Sequence, residues 1–389
     1  MGLRTLTRDA YTNVKSSATL GGTKSATHAA EERVHRGEGL DPLVDPKGPP
    51  HLGPVRMSLP RYEKVGNLWR LTVGIPMAVE KLLDTTGSMD NNVNLAFENC
   101  QKEYDLYRAG AVPVLHRYDV QMATGAFGDV EDFTRLGLPF YCRSQFEMDE
   151  KIAVQMSLMV AAKKGWGNGK EDPQFGLFGA AYLTQARINA YGLKSYHFTV
   201  SDEPVVPVIN YDWLKHVFGD DVLTHCARIG YQMSANKLPD TAQVVKDLQT
   251  RAHAFFLLVD NSHYVIEQWK ALYGSDHFVF LPNGTTEYIH FVNACIIGLT
   301  EGVLDLQTAR EFLLEHKLSR PEADSVVRAV AHIPLGAQAQ YPNFDNLPKA
   351  GDLFREKTDL WPVEPSEVEN SEATDETADG EKPGGPVWL

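Results

Sequence analysis

Three oxygen-bearing side chains at alternate positions, Asp84, Thr86 and Ser88, stand in the stretch Leu82-Leu83-Asp84-Thr85-Thr86-Gly87-Ser88-Met89. A carboxylate at the C-terminal end of an apolar strand, followed by two hydroxyls on a tight turn, can place three hard ligands around a small divalent cation such as Mg²⁺. Gly87 lets such a turn close. Covalent catalysis finds less to work with. The chain holds no Gly-x-Ser-x-Gly and no His-Glu-x-x-His, and Asp84 lacks the second Asp two residues on that a phosphoaspartate enzyme of the haloacid dehalogenase type requires. The histidines are scattered: His197 falls in an expected strand and His253 beside one, where a histidine satisfied within the core or at the surface is the expected role.

The elements that must position these residues alternate along the chain. Met77 to Leu83 reads as a first parallel strand that delivers Asp84 to the loop edge of a sheet. Glu80 and Lys81 interrupt it, so it is expected to be short or partly solvated near its start. A helix is expected over about residues 91–109, and residues 120–127 and 138–146 read as a hairpin pair. Helices over 149–163 and 175–191 flank the loop Gly165-Trp166-Gly167-Asn168-Gly169-Lys170-Glu171-Asp172-Pro173. Glu171 and Asp172 there are expected to favour the helix that follows them, with contact to a metal as the lesser alternative. A strand over 195–200 then ends in Ser201-Asp202-Glu203-Pro204, so Asp202 stands at a second strand end. It comes roughly 118 positions after Asp84, and in an alternating strand and helix pattern the two would converge at a switch point of the sheet. Further helices (211–218, 241–252, 264–273, 286–300) and strands (254–259, 277–281) continue the alternation. The fold class expected is α/β, a doubly wound, mostly parallel sheet with helices on both faces.

The organisation around this domain follows from composition. Residues 1–66 are rich in Thr, Ser, Gly, His and Pro, with ten Lys or Arg against seven Asp or Glu, and read as an N-terminal arm, mobile or wrapped, with a short helix over 26–35. Residues 67–303 form the α/β domain and 304–340 a helical extension. Residues 341–389 are Pro-rich and acidic; the last 26 hold eight Asp or Glu against one Lys, which is −7 of the formal net charge of −14. Such a tail is expected to be largely disordered. The net charge argues against a nucleic-acid backbone or an anionic membrane as the main partner, since most of this surface would repel either, and leaves room only for a local basic groove. Cys100, Cys142, Cys226 and Cys295 lie far apart without a Cys-x-x-Cys pair, so they read as buried, reduced thiols. No signal-peptide core and no apolar run of about 18 residues is present, which points to the cytoplasm.

The stretch from Asp84 to Met89 resembles the metal-ion-dependent adhesion site (MIDAS) of von Willebrand factor A (VWA) domains, whose first loop reads Asp-x-Ser-x-Ser and, in intracellular members, often Asp-x-Thr-Gly-Ser-Met. The resemblance covers roughly residues 70 to 305. It implies that Asp84, Thr86 and Ser88 are metal ligands, and that Asp202 matches the family's third loop. In the second loop Asn168 stands where the family carries Thr or Asp. An amide oxygen there can bind Mg²⁺ or Ca²⁺ directly or through water, or Asn168 adopts a left-handed turn without touching metal. In this family the cation keeps one position free for an Asp or Glu of a partner protein. The resemblance therefore implies a metal-binding module for protein–protein interaction, an adaptor or scaffold holding magnesium (or Mn²⁺ or Ca²⁺). Some intracellular members act beside AAA-type ring ATPases.

Two other readings remain open on the sequence. One is a metal-assisted hydrolase or phosphoryl-transfer enzyme using the same cation, with Asp129 as base. The other is a decayed site on a structural domain.

Overall fold

In the computed structural model the described residues are 26–47, 60–65, 68–73, 75–86, 89, 92–108, 114–147, 151–160, 171–259, 263–282 and 286–345. Contacts divide the chain into two units. The smaller contains a hairpin, β1 (Pro60–Val65) paired antiparallel with β2 (Leu68–Val73), Val65 opposite Leu68. The expected boundary after residue 66 falls inside this pair.

The larger unit, which includes Ile75–Leu347, opens with α1 (Ala26–His35). Ala30 and Val34 of α1 pack with Leu138 and Val160, and the Arg143 amide donates to the Val44 carbonyl at 3.0 Å. Residues 26–47 thus lie along the domain.

Strand β3 (Ile75–Asp84) follows and is buried along its whole length. Then come α2 (Asn92–Arg108), β4 (Tyr118–Phe127), α3 (Val130–Leu136), β5 (Tyr141–Arg143), α4 (Lys151–Ser157) and α5 (Pro173–Tyr182). A short 3₁₀ turn, Arg187–Tyr191, leads to β6 (Ser195–Ser201), α6 (Tyr211–Phe218), α7 (Val222–Arg228), α8 (Thr241–Arg251) and β7 (Ala252–Leu258). The unit closes with α9 (His263–Tyr273), β8 (Phe278–Phe280), α10 (Ile289–Glu301), α11 (Leu306–Glu315) and α12 (Arg320–Val330).

Six strands make one sheet in the order β5-β4-β3-β6-β7-β8, parallel except for β5. The chain winds outward from β3 through β4 to β5, then returns to the other side of β3 and winds through β6 to β8. This is a doubly wound α/β fold, and its order reverses between β3 and β6, where side chains from two loops meet above the strand ends.

Successive residues of a strand face opposite sides, and β3 shows what each side holds. Leu83 joins Val292, Ile296, Leu313 and Val326 of α10, α11 and α12 on one face. Leu82 joins Phe175, Phe178, Val244 and Phe256 on the other.

The sheet corrects three expectations. Strand β3 is neither short nor solvated, because both of its charges are compensated in place. Arg143 Nε donates to Glu80 Oε1 at 2.5 Å, with His197 Nδ1 at 3.5 Å from Oε2. On the opposite face Lys81 pairs with Glu103, which also accepts from Tyr107 and Asn293. The expected hairpin of residues 120–127 and 138–146 is an antiparallel pair joined through α3, not through a tight turn. The helix expected over 175–191 stops at Tyr182, where the chain breaks before the 3₁₀ turn.

The histidines of the sheet are structural. His197 Nε2 lies 3.2 Å from Thr199 Oγ1, and His253 Nε2 lies 3.0 Å from Gln338 Oε1. All four cysteines are buried thiols. No described helix is long and apolar enough to cross a membrane.

Candidate metal centre at the sheet edge

Asp84 is the last residue of β3 and is fully buried. Its Oδ1 accepts from the Thr86 amide at 3.0 Å and from Thr86 Oγ1 at 2.7 Å, closing the turn on itself. Its Oδ2 accepts from Ser201 Oγ at 2.7 Å, a hydroxyl supplied by the last residue of β6. Thr85 fastens the same turn to the end of β4, its amide and hydroxyl both donating to the Phe127 carbonyl at 3.0 and 2.9 Å.

Two more loops close around this point. After β4, Asp129 caps α3 by accepting from the Glu131 amide at 2.8 Å. The Asp172 amide donates to the Gly128 carbonyl at 3.0 Å, and Asp172 Oδ2 accepts from the Val130 amide at 2.8 Å. These bonds lock the start of α5 onto the β4–α3 turn. Asp172 occupies the N-cap position but spends its oxygens on Val130 and Gln174, not on the first turn of α5. Glu171 precedes it, is 6% exposed and hydrogen-bonds with Thr86. On the β6 side, Ser201 Oγ accepts from the Glu203 amide at 3.1 Å, and Trp269 Nε1 holds the Glu203 carbonyl at 2.8 Å. Glu171 and Asp172 therefore do more than favour a helix N-terminus.

The electrostatics are one-sided. Burial pushes Asp84 up to about 7; the Ser201 and Thr86 hydrogen bonds oppose this and the charge of Asp202 adds to it. Glu171 is pushed up to about 10 by burial, then by the charges of Asp84, Asp129 and Glu203, all of them acidic. Asp172 rises to about 6, again by burial, against hydrogen bonds from Val130 and Gln174. Carboxyls gathered this way are either protonated or neutralised by a cation.

Asp84 and Thr86 are thus in contact, and Asp202 sits on the adjoining loop, close enough for its charge to act on Asp84. Ser88 and Asn168 lie outside the described residues. Two further groups belong to the site, Ser201 and Glu171, while Asp129 caps α3 and acts on Glu171 through its charge. Ser201 could have been found from strand alternation, since parallel pairing places it beside Asp84. For Glu171 no local signal separates a site-facing acid from one that merely favours a helix.

Among the described residues no three His, Cys, Asp or Glu side chains form a ready metal cage. The donor set nevertheless fits a hard cation in two respects. It is oxygen throughout, hydroxyls and carboxylates mixed. Two of its oxygens, Glu171 Oε2 and Asp202 Oδ1, are buried without a hydrogen-bond partner among the described residues, and such atoms in a native site call for a ligand or water. A cavity of about 410 Å³ lies elsewhere, between Gly37–Lys47 and residues Phe133, Phe140 and His216, and contains none of these groups.

No protein family and no curated protein matches the chain. Among solved structures, the pilus adhesin SpaC of Lactobacillus rhamnosus GG in its open conformation is similar with a TM-score of 0.35 and 15% identity, over 61% of this chain and 33% of that one. Proximal thread matrix protein 1 of the mussel byssus follows with a TM-score of 0.34 and 7% identity, over 58% and 48%. The chain spans less than half the length of either.

Proposed function

We propose that this chain is a metal-dependent protein-binding module of the VWA type, in which a divalent cation at the Asp84 edge captures a carboxylate of a partner protein. The observation that carries the reading is the convergence on Asp84 of two hydroxyls, Thr86 on the turn after β3 and Ser201 at the end of β6, beside buried carboxylate oxygens without partners among the described residues. Asp84, Thr86, Ser88 and Asp202 would hold the ion, with Asn168 as a further oxygen, and Mg²⁺ or Mn²⁺ suits such ligands better than zinc. When bound, the cation supplies a local positive centre in an acidic surrounding.

The chain's own residues do the rest. Ser201 and Thr86 fix the Asp84 carboxylate in one orientation, so no rotamer freedom is lost on binding. Thr85, pinned to the Phe127 carbonyl, fixes the start of the turn against the end of β4. The surrounding negative charge discourages acidic proteins at long range, so capture rests on short-range coordination and a modest association rate. Four cysteines kept as buried thiols support a reducing, cytoplasmic setting. By resemblance, the partners include assemblies of AAA-type ATPases.

Calorimetry with Mg²⁺ and Mn²⁺ on the intact protein and on Asp84→Ala tests the site. Binding by the intact protein alone is expected, and equal behaviour of the two would sink the reading. Metal-dependent turnover on a panel of phosphoesters would instead favour a hydrolase.

A further inference from the structure

We propose that Glu171 is an internal ligand of this site: its carboxylate completes the cation's shell when no partner is present, and a partner's carboxylate has to displace it. The proposal rests on the reading of the Asp84 edge as a cation site.

Three observations place Glu171 in this role. The backbone beside it is fixed, because the Asp172 amide and carboxylate are both bonded to the β4–α3 turn at 3.0 and 2.8 Å. The side chain is enclosed, 6% exposed, and its hydrogen bond goes to Thr86, one of the two hydroxyls that hold Asp84. Its second oxygen, Oε2, is buried with no hydrogen-bond partner among the described residues. A role in capping α5 would have satisfied that atom on the first-turn amides. Instead Asp84 is the charge that acts on Glu171 most strongly, ahead of Asp129 and Glu203. Leaving a carboxylate oxygen buried and bare is costly, and a divalent cation held by Asp84 and Glu171 would remove that cost.

Charge counting then gives the regulatory consequence. Asp84 and Asp202 together balance a divalent ion. With Glu171 bound as well the centre carries one negative charge in excess, and an incoming carboxylate meets repulsion. Glu171 and the partner's acid therefore compete for the same position. The internal acid holds the cation in the resting protein and raises the threshold for capture, so that only a partner with further contacts succeeds.

The test uses Mn²⁺, followed by calorimetry and by water-proton relaxation, and then acetate as a carboxylate probe. Four full-length proteins are compared: intact, Glu171→Gln, Glu171→Asp and Asp84→Asn, each first checked for folding in chelator by circular dichroism. Glu171→Gln should bind Mn²⁺ at least about tenfold more weakly than the intact protein. Once loaded, it should bind acetate, with a drop in water relaxation that the intact protein does not show. Glu171→Asp keeps the charge on a shorter stem and should fall between the two. Unchanged Mn²⁺ affinity in Glu171→Gln overturns the proposal, as does equal acetate binding by both. If Asp84→Asn binds Mn²⁺ as tightly as the intact protein, the site itself is misassigned and the proposal falls with it, an outcome distinguishable from failure at Glu171 alone.

Discussion

Ser201 Oγ donates to Asp84 Oδ2 at 2.7 Å, joining the ends of two adjacent parallel strands across 117 residues of sequence. The bond exists only when β3 and β6 are paired, so the site forms as a consequence of sheet closure. Removing it leaves Asp84 Oδ2 buried without its donor. Ser201→Ala should lower stability by about 1–3 kcal/mol and weaken Mg²⁺ binding, read by denaturant titration and calorimetry on the same protein.

The acidic edge gives a pH dependence with a definite sign. Asp84 and Glu171 are raised to about 7 and about 10 in the folded protein. Between their ordinary carboxyl range and those values the folded state holds more protons than the unfolded one. Their contribution to stability is therefore full at low pH and is lost as pH rises through about 7 and then about 10. Glu301, raised to about 7 by burial, adds to the same trend. His253 and His290 act oppositely: burial lowers them to about 3 and about 4, so stability is lost as pH falls below 6.5. In chelator, melting temperature should decline from pH 6.5 to pH 9. Added Mg²⁺ should cancel much of that decline, and Glu171→Gln should flatten it. At pH 8 in chelator Glu171→Gln should be the more stable protein by about 1–3 kcal/mol.

Helix α5 approaches β3 more closely than a side chain permits. A Cβ on Gly176 would stand 2.5 and 2.7 Å from the two Cδ atoms of Leu82 and 3.0 Å from Tyr141 Cε2. Gly176→Ala should cost about 1–3 kcal/mol through overpacking, despite the better helix propensity of alanine. Pairing it with Leu82→Val should restore part of the loss, so the double mutant should be more stable than additivity allows. Thermal denaturation of the four proteins measures that coupling.

On the other face of β3, Lys81→Met should be severe. It strips Glu103 of its cation while leaving the carboxylate buried with Tyr107 and Asn293, a change worth about 3–5 kcal/mol. Adding Glu103→Gln should recover most of the stability. Failure of the second substitution to help would show that Lys81 acts through packing of its stem.

Gln338 is one of several anchors of the segment 336–345, beside the Arg117 bond to the Phe344 carbonyl and the Asn343 bond to the Tyr191 carbonyl. Gln338 is fully buried, accepts from the Lys194 amide, donates to the Lys194 carbonyl and meets His253. Gln338→Ala should cost about 2 kcal/mol and expose residues 336–345 to faster amide exchange, while leaving cation binding unchanged.

Much of this architecture was legible in the sequence, because alternating apolar strands and amphipathic helices of ordinary length admit few arrangements. Asp84, Thr86 and Asp202 stood out since each follows or ends an apolar run. What stayed hidden depends on partners distant in sequence. The charges of Glu80 and Lys81 signalled solvent until Arg143, 63 residues away, and Glu103, 22 away, were seen to meet them. The pairing of Pro60–Val65 with Leu68–Val73 is not legible locally, because the charges of Arg61, Glu63, Lys64 and Arg70 interrupt the apolar alternation. Glu171 was hidden for a different reason: an acid before a helix has two uses, and only the enclosure of its carboxylate separates them.

The two ion pairs of β3 also act as a parity check on the folding chain. A slip of one residue turns every side chain of a strand to the other face. For most strands this merely exchanges one apolar set for another. Here it would carry Glu80 to the side of Glu103 and Lys81 to the side of Arg143, producing two buried like-charge encounters at once. The central strand thus carries an internal error signal, strongest at the step where β3 first pairs with its neighbours, and that signal protects the direction in which Asp84 finally points.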